Sequence, residues 1–575
     1  MLKLFRNLKP YTIPIIFVLV LVATQAIAEL YLPTLMSDIV DIGIVKGDTS
    51  YILRTGGLML LVALADMGAA LIAAFLSSRV GMGFGRDMRK KVFTHVEGFS
   101  LHEFDIIGTP SLITRTTNDI TQVQMFTMIM LRMLIMAPIM AVGGVIMAYA
   151  KDAKLMWVLA IVIPIIIIVV VFVATRALPL FRAIQKKIDR LNLVLREGLT
   201  GERVVRAFNR VDHERARFDD ANKDLTETSV KVNKLMALMM PLMMLIMNIT
   251  MVAIIWFGAQ RIDAGEMQVG GLMAFLQYGM QILFSLLMVS FLFIMLPRAS
   301  ASAGRINEVL ALNPGIKDPE APVTAEQEHG YLEFRNVTFA YPGAEEPAIN
   351  DISFSAHPGE VTAIIGGTGS GKSTLVNLVP RFYDVAKGEI LVDGVDIRKM
   401  SQETLRMKLG FVPQKAVLFN DTIANNIRYG REDATDEEVT HAAETAQALE
   451  FINAKPDGFG AVIAQAGANV SGGQKQRLSI ARALVRKPEI YIFDDTFSAL
   501  DFKTDARLRA ALRKETGDAT VVIVAQRVNT VMDADRIIVL DDGRVVGMGT
   551  HKELIRSCEV YREIVSSQLS EEELA

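Results

Sequence analysis

The arrangement of apolar residues constrains this chain more than any other feature. Long apolar runs with few charges fall at 11–36, 56–78, 125–150, 155–178, 235–259 and 270–297, and none follows residue 300. Each is long enough to cross a hydrocarbon core, which needs ~20 helical residues. In lipid a segment must satisfy its own backbone hydrogen bonds, so runs of this length are expected to be helices. The hydrophobic content of 51% exceeds that of an ordinary soluble enzyme, and the excess sits in these six runs. At the N-terminus Lys3, Arg6 and Lys9 precede an apolar run containing Ala26-Ile27-Ala28, as in a signal peptide. That run is too long for a signal core of ~7–15 residues and five more follow, so residues 1–10 are expected to form a short interfacial helix leading into the first span.

The formal charge of -3 says little about partners, but charge placement does. The segments 79–124 and 179–234 are crowded with basic residues, among them Arg86, Arg89, Lys90, Lys91, Lys186, Lys187, Arg203, Arg206 and Arg210, whereas the other connections are short and mixed. The positive-inside rule then places both long loops, both termini and everything after residue 300 in the cytoplasm. Both loops are rich in helix formers, so the spans are expected to continue beyond the bilayer. They would turn at 103–118, broken by Gly108, Thr109 and Pro110, and at 197–208, broken by Gly198 and Gly201, each tip touching a soluble domain. Residues 299–312 read as a short helix, and 313–328, with Pro314, Pro319 and Pro322, as a linker. Strand patterns follow at 332–339 and 352–355. The resulting division is a membrane domain over 1–312, a linker over 313–330 and a soluble domain over 331–575. The lone Cys558 has no partner for an internal disulfide.

The soluble part carries the chemistry. Gly366-Gly367-Thr368-Gly369-Ser370-Gly371-Lys372-Ser373 matches the phosphate-binding loop, preceded by a buried-strand run at 361–365 and followed by a helical one from Thr374 to Val379. Glycines let backbone N–H groups curl around phosphates at a helix N-terminus, the lysine reaches the outer phosphates of ATP, and the serine hydroxyl is a ligand for Mg2+. Asp494 ends the apolar strand Tyr491-Ile492-Phe493 and is placed to hold the Mg2+ shell. Ser471-Gly472-Gly473-Gln474 begins an Ala-rich helix; alone it would read as an ordinary capped helix.

In this order and spacing these motifs resemble the ABC (ATP-binding cassette) exporters, over nearly the whole chain. The resemblance implies an α-helical six-span transmembrane domain followed by an α/β P-loop nucleotide-binding domain. It further implies that two such half-transporters pair, with each ATP between one chain's phosphate-binding loop and the other's signature, here Ser471 to Gln474. By the same resemblance Tyr341 stacks on adenine, Gln414 contacts Mg2+ and senses the membrane domain, and Ser498-Ala499-Leu500-Asp501 faces the partner site. Two positions depart from the family pattern: Asp495 stands where a glutamate activates water, and Gln526 where a switch histidine contacts phosphate. With Gln465-Ala466-Gly467-Ala468-Asn469 before the signature, these resemble the degenerate-site subunit of heterodimeric bacterial multidrug exporters. The implied partner carries the catalytic glutamate and switch histidine. Aspartate is one methylene shorter than glutamate, and a positioned base contributes ~10^2 to 10^4 in rate. Glutamine cannot become a cation. A backbone shift that lets Asp495 work slowly stays open.

Within the spans Glu29 and Asp66 are either contacts for cationic substrates or members of interhelical hydrogen bonds. The methionines of the third and fifth spans suit a cavity for varied apolar molecules and equally serve as packing. The expected activity is ATP-driven export of amphiphilic drugs or lipids across a bacterial cytoplasmic membrane. Import of a small chelate by the same fold and an ATP-gated channel subunit are the alternatives. Chromosome-maintenance ATPases share the P-loop and signature but separate them by a long coiled coil, so no nucleic-acid partner is expected.

Overall fold

The computed structural model describes residues 1–324 and 329–569. It divides into two units, Met1–Glu97 with Pro110–Leu312, and Gly98–Thr109 with Asn313–Ala575. Residues 325–328 of the expected linker and 570–575 of the expected soluble domain lie outside the described residues.

After a helical lead-in over Leu2–Phe5 and Arg6–Tyr11 come α1 (Thr12–Asp38), α2 (Thr49–Glu97), the short α3 (Leu101–Ile107), α4 (Ile120–Lys151), α5 (Met156–Thr200), the short α6 (Glu202–Ala207), α7 (Val211–Asp263) and α8 (Val269–Ala311). Six helices of the first unit are long and apolar enough to cross a membrane. Within this unit α1 packs on α2, α4 lies against α8 and α1, and α5 pairs with α7. The core around Ala26, Leu30, Met140, Leu159, Phe275, Tyr278 and Ile282 closes because small residues let helices approach. A Cβ on Gly143 would stand 2.5 Å from Leu30 and one on Gly144 2.7 Å from Ile282. Large apolar side chains such as Trp157, Phe172 and Trp256 stay exposed, as expected of surfaces facing lipid. At the helix ends, Asp152 accepts from the backbone N–H groups of Lys154 and Leu155 and pairs with Arg261 at 2.5 Å.

Three local expectations are corrected. Residues 299–312 are no separate helix; α8 runs through Pro297 to Ala311 without a break. Gly198 lies inside α5, and only Gly201 ends it. At the first tip Gly108, with φ +77°, does break the chain, but Thr109 and Pro110 open the next helix, where a proline's missing N–H costs nothing.

The second unit is α/β. One sheet is antiparallel, ordered β2 (Ile349–Ala356), β1 (Leu332–Phe339), β4 (Lys387–Val392), β5 (Val395–Asp396). The other, ordered β10 (Arg544–Gly549), β9 (Arg536–Asp541), β3 (Val361–Gly366), β8 (Thr520–Val524), β7 (Ile490–Asp494), β6 (Leu409–Val412), is parallel except for its β10 edge. Its central strands read as unbroken apolar runs because both faces are covered. The segment around α3 belongs to this unit. Ser100 and Glu103 form its capping box, Glu103 also accepts from Gly315 N at 3.2 Å, and Tyr383 donates to Asp105 at 3.1 Å. Burial, then the Asp105 charge, pushes the Tyr383 hydroxyl up to about 12.

Candidate functional site

Sheet register assembles the site. Gly366 at the end of β3, Asp494 at the end of β7 and Val524 at the end of β8 lie on one edge, since Ile364 and Asp494 both pair with Val524. Val412 of β6 pairs with Phe493, which brings Gln414, two residues on, to the same edge. In parallel α/β sheets this carboxyl edge is where ligands bind. A cavity of about 360 Å³ opens here, with Tyr341, Thr368, Lys372, Gln414, Asp495 and Gln526 among its walls.

The loop after β3 leads directly into α9 (Lys372–Leu378). Gly369 and Gly371 take φ +85° and +94°, conformations that side chains resist. Where a Cβ on Gly367 or Gly369 would stand there is nothing within 4 Å among the described residues, so the loop borders the cavity with backbone. Gly366, by contrast, packs against Leu540 O, which would lie 2.1 Å from a Cβ, so here glycine is required by the neighbouring strand. Lys372 is buried, and its Nζ donates to Gly366 O at 2.9 Å and Gly367 O at 2.7 Å. Burial lowers its pKa, an effect countered by the charges of Asp495 and Asp494. Ser373 Oγ donates to Asp494 Oδ1 at 2.9 Å. Burial raises the pKa of Asp494, against the pull of that hydrogen bond. A hydroxyl and a carboxylate beside a phosphate-sized cradle form a hard oxygen donor set, which fits Mg2+. Tyr341, partly exposed, reaches Thr374 Oγ1 at 3.1 Å and stands edge-on to Tyr383.

Asp495 occupies the centre of a small polar cluster. Its Oδ2 accepts from Gln414 Nε2 at 3.1 Å and from Gln526 Nε2 at 2.9 Å. Its backbone is left-handed, φ 45°, and is tied by its N–H to Val524 O and by its carbonyl to Ser498 Oγ. Asp tolerates this conformation better than most residues. The sequence singled out all three side chains but carried no sign that they bond one another; strand order alone decides it.

The signature residues lie elsewhere on the unit. Ser471 caps α10 (Gly472–Arg486): its Oγ accepts from Gln474 N while Gln474 Oε1 accepts from Ser471 N. Because Ser471 accepts through its oxygen, its O–H remains free to donate. Gly472 is exposed, with nothing within 4 Å of its Cβ position, whereas Gly473 packs near Ala499 O. The preceding turn holds Ala466 at φ 55° and is braced by Asn469, which accepts from Ala464 N and donates to Val462 O. Ser498 and Ala499 are exposed, Leu500 is buried, and Asp501 caps α11 (Phe502–Glu515) through Thr504 N. In the first unit Glu29 lies on α1 and Asp66 on α2.

Comparison with known proteins agrees with this architecture. Residues 15–287 match the family described as ABC transporter transmembrane region, and residues 349–498 the family described as ABC transporter. An uncharacterized ABC transporter ATP-binding protein of Mycobacterium tuberculosis is 45% identical over 98% of this chain and 97% of its own length. An ATP-dependent lipid A-core flippase of Desulfotalea psychrophila is 33% identical over 96% of each. The structure of a bacterial Atm1-family ABC exporter with ATP bound superposes with TM-score 0.80 at 26% identity over 99% of both chains.

Proposed function

The chain belongs to the ABC transporter family, and on that premise we propose that it is one half of a heterodimeric exporter that moves amphiphilic drugs or lipids out across the bacterial cytoplasmic membrane. Its ATPase is coupled to transport. Residues 1–312 are the membrane domain, 313–330 the linker and 331–575 the nucleotide-binding domain, with both termini cytoplasmic.

In this reading Lys372 and the N–H groups of the loop hold the outer phosphates of ATP and Tyr341 stacks on its adenine. Ser373, Asp494 and Gln414 would hold Mg2+, which when bound neutralises charge on the outer phosphates. The observation that carries the degenerate-site assignment is the cluster around Asp495. A carboxylate spanning from Gln414 to Gln526, one methylene short, is built to hold two loops together, and its oxygen Oδ2 already has two donors where a water would need it. Gln526 can donate to phosphate but cannot supply the charge of an imidazolium. The intact signature of this chain, capped but exposed, closes over ATP held by the partner, whose own glutamate and histidine perform hydrolysis.

Two features support a partner and a coupling route. The tip helix α6 buries none of its side chains, and Val204 and Phe208 around it are exposed, an apolar surface suited to a second chain. The tip helix α3 belongs to the ATPase unit through Tyr383, Asp105, Glu103 and Gly315, and it follows directly in the chain from the end of α2, a covalent route for coupling. The lipid A-core flippase among its relatives supports an amphiphilic cargo.

The direction is tested in inside-out membrane vesicles containing the heterodimer. Export predicts ATP-dependent accumulation of a fluorescent amphiphile inside them, and loss of accumulation on Lys372→Ala in both subunits. Accumulation only in right-side-out vesicles would refute it.

A further inference from the structure

Inside the membrane unit several oxygen acceptors lie near one another, three of them without a hydrogen-bond partner among the described residues. Glu29 on α1 receives one long hydrogen bond, from Gln25 Nε2 at 3.4 Å. Gln281 on α8 spends its Nε2 on the Glu29 carbonyl at 3.1 Å. Each amide nitrogen spends one of its N–H groups in this way, while Gln25 Oε1 and Gln281 Oε1 are buried without a partner among the described residues, as is Asp66 Oδ1 on α2. Gln25 itself is only 6% exposed. Neither of the groups that act electrostatically on Glu29, Asp66 and Gln25, is a cation. The hydroxyls of the same region are committed, Ser285 to Ile282 O and Tyr278 to Leu30 O.

A buried acceptor without a donor is costly, and more so where charge is involved, so three such oxygens from three helices, beside the Glu29 carboxylate, fit poorly as packing alone. Beside Glu29 and Gln281 opens a cavity of about 300 Å³, whose remaining walls include Met136, Met140, Phe284 and Met288. One end offers acceptors and negative charge; the body offers flexible thioethers and an aromatic ring.

We propose that this is a binding site for a protonated amine with an apolar body, its ammonium N–H groups donating to Glu29 and Gln281 at the polar end of the cavity and its apolar part lying among Met136, Met140, Phe284 and Met288. The inference rests on the reading of the chain as an exporter of amphiphiles and names the class of cargo that its own half of the membrane domain selects. An ammonium supplies N–H donors to the Glu29 and Gln281 oxygens and balances the charge of Glu29, while the Asp66 carboxylate adds to the attraction for a cation. The cavity beside them sets it apart from a site for a bare inorganic ion.

The test uses the heterodimer in lipid nanodiscs and equilibrium binding of radiolabelled 4-phenylbutylammonium and its neutral counterpart 4-phenylbutanol. Glu29→Gln should weaken the amine about tenfold or more while changing the alcohol by less than about twofold. Asp66→Asn should shift the amine in the same sense and less, and Met136→Ala should weaken both probes together. Retained ATP binding and an unchanged melting curve show that each variant folds. Equal affinity of the unmodified protein for amine and alcohol, or equal loss of both in Glu29→Gln, would overturn the site. So would displacement of the amine by millimolar sodium or potassium chloride regardless of its apolar body. Glu29-dependent amine binding in a heterodimer that exports no amphiphile would uphold the site and sink the export reading instead.

Discussion

At the scale of single residues, the pairing of Asp495 with Gln414 and Gln526 sets what substitutions should do. Asp495→Glu lengthens the carboxylate but leaves Gln526 in the place of a histidine, so the single change should raise turnover less than Asp495→Glu with Gln526→His, because both groups act on one phosphate. Phosphate release by the purified lone chain at saturating ATP checks this; equal rates for single and double variants would show that a histidine at position 526 adds nothing. Gly472 offers the complementary test. Among the described residues nothing stands within 4 Å of its Cβ position, so Gly472→Glu, which leaves the Ser471 cap in place, should fold normally. Any damage must then come from what docks there. In the heterodimer this variant should lower ATP turnover by about 10^2 or more, whereas Asp495→Asn should cost less than about tenfold. The reverse order would mean that the roles of the two sites have been exchanged.

At the scale of elements, α3 shows how a short helix is held. Seven residues cannot sustain a helix by propensity, so its cap and its contacts decide. Glu103 is buried, which by itself would raise its pKa, yet hydrogen bonds from Ser100 and Gly315 hold it below the ordinary glutamate value. A depressed carboxylate contributes stability above the unfolded value of ~4.3, and that contribution is lost as pH falls through the folded one. Glu103→Gln should therefore lower stability by about 1–3 kcal/mol near neutral pH, with the gap closing in acid. Melting curves of the full-length protein and the variant between about pH 7 and pH 3 read this; a gap that widens on acidification would contradict it. The same variant should loosen the coupling of ATP turnover to transport, since Glu103 joins α3 to the backbone of Gly315.

At the scale of the whole molecule, the lone chain carries Asp495 and Gln526 where the proposed partner carries a glutamate and a histidine. It should bind ATP in the presence of Mg2+ but hydrolyse it far more slowly than the heterodimer, a difference on the order of 10^2 or more. Comparing the chain purified alone with the chain co-expressed with a neighbouring half-transporter measures it. Comparable turnover by the lone chain would remove the case for a degenerate site. The exposed surface around Val204 and Phe208 belongs to the same expectation: Phe208→Asp should reduce recovery of the partner on affinity purification without altering the melting of the lone chain.

The sequence by itself determined the two-part architecture, because apolar runs of membrane length and a phosphate loop between strand and helix are local patterns whose physics does not depend on distant residues. β1 came out at 332–339 as its alternation implied, and β3 and α9 flank the loop as its motif requires. The continuity of α8 through residue 311 was not legible, since a proline followed by polar residues looks like a boundary until packing overrides it. Only the tertiary structure decided that residues 414, 495 and 526 bond one another, because that contact depends on the order and register of β6, β7 and β8, which no local pattern encodes. The grouping of Gln25, Glu29, Asp66 and Gln281 was likewise hidden. Glu29 and Asp66 stood out as charges in apolar spans, but which acceptors are left without donors depends on how three helices pack, and on which hydrogen bonds that packing uses up.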